Sequence, residues 1–178
     1  MSDNPVSVEE IRVAIRNVPD FPKAGIQFKD ITPVLADGRL FAGAVDLLAD
    51  HHSDSDIDAV VGIDARGFIF AAAVALKLGV GFVPVRKKGK LPFYTHEESY
   101  DLEYGSNTVA IHTDAVSQGS RVLLVDDLLA TGGTAAAALT LLDKLGASVV
   151  EVSFLIELEA LEGRKLLGDA NVMSLVKY

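Results

Sequence analysis

An apolar run that passes without a break into two carboxylates, and then into a loop of small residues, is open to few folds. Arg121 to Thr134, RVLLVDDLLATGGT, is such a segment. Val122, Leu123, Leu124 and Val125 show no polar alternation, which suits a strand buried on both faces of a parallel sheet. Asp126 and Asp127 follow and are expected to end that strand. A carboxylate pair beside apolar residues is costly unless a ligand, a metal or hydroxyl groups satisfy it. The carboxyl edge of an α/β sheet is where such a pair is used. Thr131, Gly132, Gly133 and Thr134 carry little bulk and lead into Ala135 to Leu142, a strong helix former. Several free backbone N–H groups then point at one spot suited to a phosphate.

Each piece has an ordinary explanation when taken alone: Asp-Asp as a solvated strand end, Thr-Gly-Gly-Thr as a turn capping a helix. In the order strand, carboxylates, glycines, helix they specify a ligand site. No lysine follows the glycines, so this is not the nucleoside-triphosphate loop, and the dinucleotide pattern G-x-G-x-x-G is absent. The carboxylates are left to read hydroxyls, most simply the 2′ and 3′ hydroxyls of a ribose, while Ala130 to Thr134 hold a 5′-phosphate.

The rest of the chain is consistent with one α/β unit. Its 178 residues suffice for a single domain, 1–178, with a full core, and nothing resembles an inter-domain linker. A composition 49% hydrophobic but only 7% aromatic, rich in Ala, Val and Leu, fits buried parallel strands covered by small-residue helices. The formal charge of −9 argues against a general nucleic-acid or anionic-membrane binder, so any anion must be caught locally. With no cysteine there is no disulfide, no thiolate nucleophile and no cysteine-ligated metal. The first residues lack a basic segment followed by an apolar core, and no apolar run nears the roughly 18 residues of a membrane span. A cytoplasmic enzyme is expected.

Along the chain, Ser7 to Glu10 reads as a capping box opening a helix with Val8, Ile11, Ile15 and Val18 at helical spacing, ending before Pro19. Ile26 to Phe28 suits a brief edge strand. Asp30 caps a turn through Thr32-Pro33, and Gly38 to His51 reads as a helix. Ile57 to Ile63 is the first central strand, Gly67 to Leu78 a helix closed by Gly79, and Gly81 to Val85 the next strand. Lys88 to Tyr104 loses all period and is expected to be an irregular, mobile flap, with strand alternation regained over Ser106 to His112. Arg121 to Asp126, Ala135 to Gly146 and Val149 to Ile156 give strand, helix and strand. A short helix near Glu159 to Leu167 and a last strand near Asn171 to Leu175 follow. The sum is an α/β fold, a mostly parallel central sheet with helices on both faces. His51, His52, His96 and His112 lack metal-ligand spacing and are taken as surface or packing residues.

Two more segments are suited to anions. Asp64-Ala65-Arg66-Gly67 lies at a strand-to-helix junction on the same sheet edge, where an ordinary turn with a surface arginine is the plainer explanation. Arg86, Lys87, Lys88 and Lys90 put four cations into five positions, which can be a solvated face or an anion subsite opening the flap.

The strand, acid pair and L-A-T-G-G-T loop resemble the signature of the type I phosphoribosyltransferases. GIQFKDITPVL (25–35), GIDARGF (62–68), VRKKGKLP (85–92) and SYDLEYG (99–105) narrow the resemblance to that family's adenine branch, across both halves of the chain in the expected order. Ala130, where hypoxanthine-guanine relatives usually carry an aspartate, favours the same branch. The resemblance implies the type I phosphoribosyltransferase fold, with a base-recognition segment near 1–35 and a flap near 88–104. It also implies conversion of adenine and phosphoribosyl diphosphate to AMP and diphosphate with Mg²⁺, in a homodimer.

Residue by residue, the resemblance makes Asp64, Ala65 and Arg66, with Arg86, Lys87 and Lys88, the diphosphate site. The loop at Asp64 to Gly67 is often strained in this family, sometimes with a cis peptide not at proline. Phe28 would stack on adenine while backbone groups near Ile26 and Lys29 read its edge; Lys29 departs from the arginine often found there. Glu103 would be the acid/base at adenine and, with Arg66, the catalytic residue. Asp126 and Asp127 would hold ribose hydroxyls or water bound to Mg²⁺, with no direct protein ligand to the metal. Two other readings stand beside this one: a phosphoribosyltransferase for another base, and a non-catalytic sensor of phosphoribosyl diphosphate. The sensor would be expected to carry a DNA-binding region or a broad basic face.

Overall fold

Residues 5–52, 57–102 and 105–178 are described by the structure, a computed structural model. Backbone contacts divide the chain into a first unit, Met1–Leu47, and a second, Leu48–Tyr178.

In the first unit, helix α1 (Val8–Ala14) begins with the predicted capping box. The Ser7 hydroxyl accepts from the Glu10 N–H at 3.2 Å, and the Glu10 carboxylate accepts from the Ser7 N–H at 2.9 Å. The helix is shorter than its apolar spacing predicts. Ile15 is already extended, and Val18 lies in β1 (Arg16–Pro19). β1 pairs antiparallel with β2 (Gln27–Asp30), which puts Val18 opposite Phe28. A cross-strand partner for Val18 outweighs one further helical turn. As expected, the Asp30 carboxylate caps the chain, accepting from the Thr32 N–H and hydroxyl at 2.9 Å each, and α2 (Thr32–Ala36) follows. Helix α3 (Gly38–Ala49) gives way to a 3₁₀ turn, Asp50–His52.

The second unit runs β3 (Ala59–Ile63), α4 (Gly67–Leu78), β4 (Gly81–Lys87), β5 (Thr95–Leu102), β6 (Gly105–His112), β7 (Arg121–Leu129), α5 (Gly133–Lys144), β8 (Ser148–Glu157) and β9 (Val172–Lys177). The seven strands lie in the order β5-β6-β4-β3-β7-β8-β9. β4-β3-β7-β8-β9 are parallel, and the β5–β6 hairpin is antiparallel at one edge. Successive residues of a strand serve opposite faces. Val61, Ile63, Val122 and Leu124 join Ala138, Leu141 and Leu142 of α5 in one core, whereas Gly62 faces Ala71 of α4. The mostly parallel sheet flanked by helices on both faces is the predicted class.

Three further expectations, all in the second unit, are corrected. β7 does not end at the acid pair but continues to Leu129, because its ladder with β8 runs on through Leu129 opposite Glu157. The segment predicted to be irregular contains β5, paired with β6 from Thr95 opposite His112 to Leu102 opposite Gly105. Its sequence is polar because it is an edge strand, held by the ladder, by the Ser99–Thr108 hydroxyl contact at 2.8 Å and by Lys144, whose ammonium lies 2.6 Å from Glu98. The short helix expected near Glu159 is two 3₁₀ turns, Glu159–Leu161 and Gly163–Leu167. Among the described residues no helix is long and apolar enough to cross a membrane.

Candidate active site

From β3 the chain moves through α4 to β4 on one side, and after the hairpin it returns to place β7 on the other side of β3. The carboxyl ends of β3 and β7 therefore flank a point where strand order reverses. In open α/β sheets, that crevice is where ligands bind. Two of the three anion-suited segments predicted from the sequence emerge there: Asp64 to Gly67 after β3, and Asp126 to Thr134 from the last part of β7 into α5.

The first segment carries a cis peptide between Asp64 and Ala65. Arg66 precedes the first turn of α4, and its guanidinium lies 2.8 Å from the Asp127 carboxylate, so the two predicted segments meet in an ion pair. Gly67 is in contact with the other acid: a Cβ there would overlap the Asp126 carboxylate. The backbone N–H of Asp127 donates to that same carboxylate at 2.9 Å. The acids thus have different partners, because successive residues of a strand face opposite ways.

Burial pushes the Asp126 carboxyl well above the ordinary aspartate range, and the charge of Asp127 pushes it further. Burial also raises Asp127, against the opposing pull of Arg66. Protonation of each acid is therefore easier in the folded state than in the unfolded one, most of all at Asp126. Stability should fall as pH rises above the unfolded value of 3.8 and through the raised folded values. Asp126→Asn is expected to melt higher than the parent at neutral pH without ligand, and to flatten the pH dependence, while losing use of the sugar phosphate. Thermal melts from about pH 4 to pH 8 check this; a lower melting temperature for the variant would contradict it.

Beyond β7 the loop closes around a small cavity of ≈ 70 Å³, lined by Asp126 and residues 128–135. Gly132 caps α5 with φ 88°, a conformation that favours glycine. Gly133 and Thr134 begin the helix, so their N–H groups are among those with no intrahelical acceptor. Ala130, Thr131, Gly132, Gly133 and Thr134 thus lie together at a helix N-terminus, a position whose free N–H groups suit an anion.

The cations are less free than the sequence implies. Arg86 lies 3.3 Å from the Asp64 carboxylate and donates to the Lys90 carbonyl at 3.1 Å, and Lys88 lies 2.7 Å from Glu97 of β5. Lys87 is exposed on β4. In the first unit, Phe28 and Lys29 lie in β2 with Ile26 just before it, and the rings of Phe21 and Phe28 meet edge-to-face at 5.1 Å. Glu103 and Tyr104 lie outside the described residues. His52 is buried, with Nε2 3.1 Å from the Glu151 carboxylate, consistent with packing. His51 joins the two within 4.8 Å, a grouping across distant sequence that spacing could not reveal. Sequence reasoning also missed Gly163, Arg164 and Glu157, which stand behind the phosphate loop; Gly-Arg in a polar turn gives no signal of that role.

Comparisons with known proteins agree with this geometry. The family model for the phosphoribosyl transferase domain matches residues 31–176. The adenine phosphoribosyltransferase of Acidothermus cellulolyticus is 56% identical over 174 residues, covering 97% of this chain and 98% of that protein. The crystal structure of adenine phosphoribosyltransferase from Thermoanaerobacter pseudethanolicus superposes with a TM-score of 0.93 at 50% identity, covering 97% of this chain and 100% of that one. The Saccharomyces cerevisiae enzyme, crystallised with adenine and an imino-altritol bisphosphate, gives 0.90 at 42% identity, covering 94% of this chain and 97% of that one. With an acid pair inside β7 and a small-residue loop leading into α5, the near full-length similarity to these proteins places the chain in the phosphoribosyltransferase family, among its adenine phosphoribosyltransferases.

Proposed function

We propose that this chain, as a single phosphoribosyltransferase domain, joins adenine to the phosphoribosyl group of 5-phosphoribosyl 1-diphosphate, giving AMP and diphosphate. The observation that carries this reading is the meeting of two anion-ready junctions at the strand-order reversal, with Asp126 and Asp127 between them. One cradle suits the 5′-phosphate and the other the departing diphosphate. A ribose between them would offer its hydroxyls to the acids. The 56% identity to an adenine phosphoribosyltransferase supports the choice of base.

In the reaction the C1′–O bond breaks with its electron pair leaving on diphosphate, the C1′–N9 bond forms, and the N9 proton leaves adenine, for which Glu103 is the proposed acceptor. Positive charge grows on the ribose ring and negative charge on the leaving oxygens. Fixed cationic groups aimed at such charge are the largest single contribution to catalysis. Arg66 supplies one, and Arg86, beside Asp64, with Lys87 and Lys88 at and just past the end of β4, supply others. Ala130 to Thr134 fix the phosphate, and that remote binding energy positions C1′ for attack. Phe28 stacks on adenine while the backbone near Ile26 and Lys29 reads its edge. Closure of the segment 88–104 excludes water from the activated sugar.

The donor set fits magnesium. Two carboxylates pushed up by desolvation favour a nearby cation, and hard oxygen donors suit a metal that keeps several of its waters. Asp126 and Asp127 would hold it through those waters, and when bound it supplies neutralisation of the diphosphate. A cytoplasmic homodimer completes the proposal, with these cations serving the diphosphate of their own protomer or partly that of its partner. Mixing the protein with adenine, phosphoribosyl diphosphate and Mg²⁺ should yield AMP and diphosphate in equal amounts by mass spectrometry, and a chelator should suppress both. Binding of the sugar phosphate with no nucleotide formed would favour a sensor instead.

A further inference from the structure

The phosphate loop rests on backbone. A Cβ on Gly132 would overlap the carbonyl oxygen of Gly163, and a Cβ on Gly163 would overlap the carbonyl oxygen of Ala130. Two main-chain segments therefore touch directly, and the position of the cradle depends on what holds the turn Gly163–Leu167. That turn has few apolar anchors. Gly163 and Leu167 are buried, while Lys165 and Leu166 are exposed.

Its principal polar tie is Arg164. The guanidinium donates to both oxygens of the Glu157 carboxylate at 2.7 Å each, to the Val172 carbonyl at 2.8 Å and to the Ser174 hydroxyl at 3.3 Å. Glu157 itself is buried at the end of β8, opposite Leu129 of β7, and the next N–H, Leu158, donates to the Leu129 carbonyl at 2.9 Å. Leu129 is the residue just before the loop. A rigid two-pronged pair thus ties β8, β9 and the turn together, and the turn then backs the loop. Arginine suits this role because its planar fork meets both carboxylate oxygens at once, which lysine cannot do. The Arg164 hydrogen bonds hold the Glu157 carboxyl below the ordinary glutamate range, so the pair stays charged through neutral pH.

We propose that Arg164, fixed by Glu157, is a positioning residue for the 5′-phosphate: it sets Gly163 against Ala130 and Gly132 and so fixes where the N–H groups of the loop point. This rests on the assignment of Ala130 to Thr134 as the phosphate cradle. Arg164 touches no substrate, and its effect is selective for ligands that carry the phosphate.

The test measures dissociation constants for AMP and for adenosine, which lacks the phosphate, together with kcat and KM for the sugar phosphate. A misplacement of a binding group by about 1 Å can cost 10²-fold, so Arg164→Ala should weaken AMP binding and raise KM roughly 10- to 10²-fold. Adenosine binding and the KM for adenine should stay unchanged. Arg164→Lys and Glu157→Gln, which keep the volume of the tie, should lie between the parent and Arg164→Ala in order of AMP affinity. They also serve if the alanine variant fails to fold. If these variants melt lower yet keep the parent's AMP-to-adenosine preference, the tie is only structural and the proposal is overturned while the cradle assignment stands. If the parent itself does not prefer AMP to adenosine, the cradle assignment fails and the proposal falls with it.

Discussion

Arg66→Ala is expected to lower kcat and kcat/KM together by roughly 10²-fold, equivalent to about 2.7 kcal/mol of lost transition-state stabilisation, while AMP affinity changes little. The reason is where charge develops. Arg66 stands at the junction of β3 and α4, and its guanidinium reaches Asp127 across the strand-order reversal. In the ligand-free protein it offsets a buried carboxylate; the proposed mechanism would turn it toward the leaving diphosphate once substrate binds. The ion pair allows a second explanation, in which Arg66 serves only to neutralise Asp127. Removing one partner of such a pair leaves a poorly compensated charge and destabilises the protein, whereas removing both need not. A double variant, Arg66→Ala with Asp127→Asn, separates the two. If Arg66 acts on the leaving group, the double variant recovers stability but not turnover. Recovery of turnover would reduce Arg66 to a counter-ion, and a large loss of AMP affinity with kcat intact would place it at the nucleotide phosphate.

Adenine should be preferred over hypoxanthine by at least about 10³-fold in kcat/KM, with guanine and uracil no better. A site that hydrogen-bonds a particular edge rejects a base lacking it by roughly 10⁴ to 10⁵ at best, because the site's own groups are left unpaired. Hypoxanthine replaces the amino group of adenine with a carbonyl and gives N1 a proton, so it reverses donor and acceptor at both positions. If backbone groups near Ile26 and Lys29 read the adenine edge, as proposed, they cannot exchange donor for acceptor to follow. Lys29→Ala should therefore keep the preference, whereas Phe28→Ala should weaken adenine binding through loss of stacking. Equal turnover on hypoxanthine or guanine would refute the base assignment.

The parts of this molecule legible in its sequence are those fixed by local chemistry. Ser7 and Glu10 announce their capping box, Gly79 closes α4 at the predicted residue, and the unbroken apolar run at Val122 marks a strand buried on both faces. What was misjudged depends on partners distant in sequence. Asp126 and Asp127 look like a strand end because they are charged, yet the ladder to β8 carries the strand on to Leu129. Thr95 to Leu102 looks like a loop because it is polar, yet it is an edge strand anchored by Lys144 from α5. Val18 fits the helical spacing of α1, yet pairing with Phe28 claims it.

The site follows the same division. Its two helix-start junctions could be read from small residues, and its acids from the apolar run that precedes them, although the strand carries on beyond the pair. The pairing of Arg66 with Asp127, of Arg86 with Asp64, and of Gly163 with the back of the phosphate loop could not, since each joins segments well separated along the chain.

If two anion sites at one strand-order reversal hold the two ends of one sugar, a crystal structure with AMP, Mg²⁺ and diphosphate should show both filled. The account predicts the AMP phosphate within hydrogen-bond reach of the N–H groups of Thr131 to Thr134, and the ribose hydroxyls facing Asp126 and Asp127. Diphosphate should lie against Ala65 and Arg66. An AMP phosphate seated at Arg66, or a ribose that leaves both acids unengaged, would contradict it.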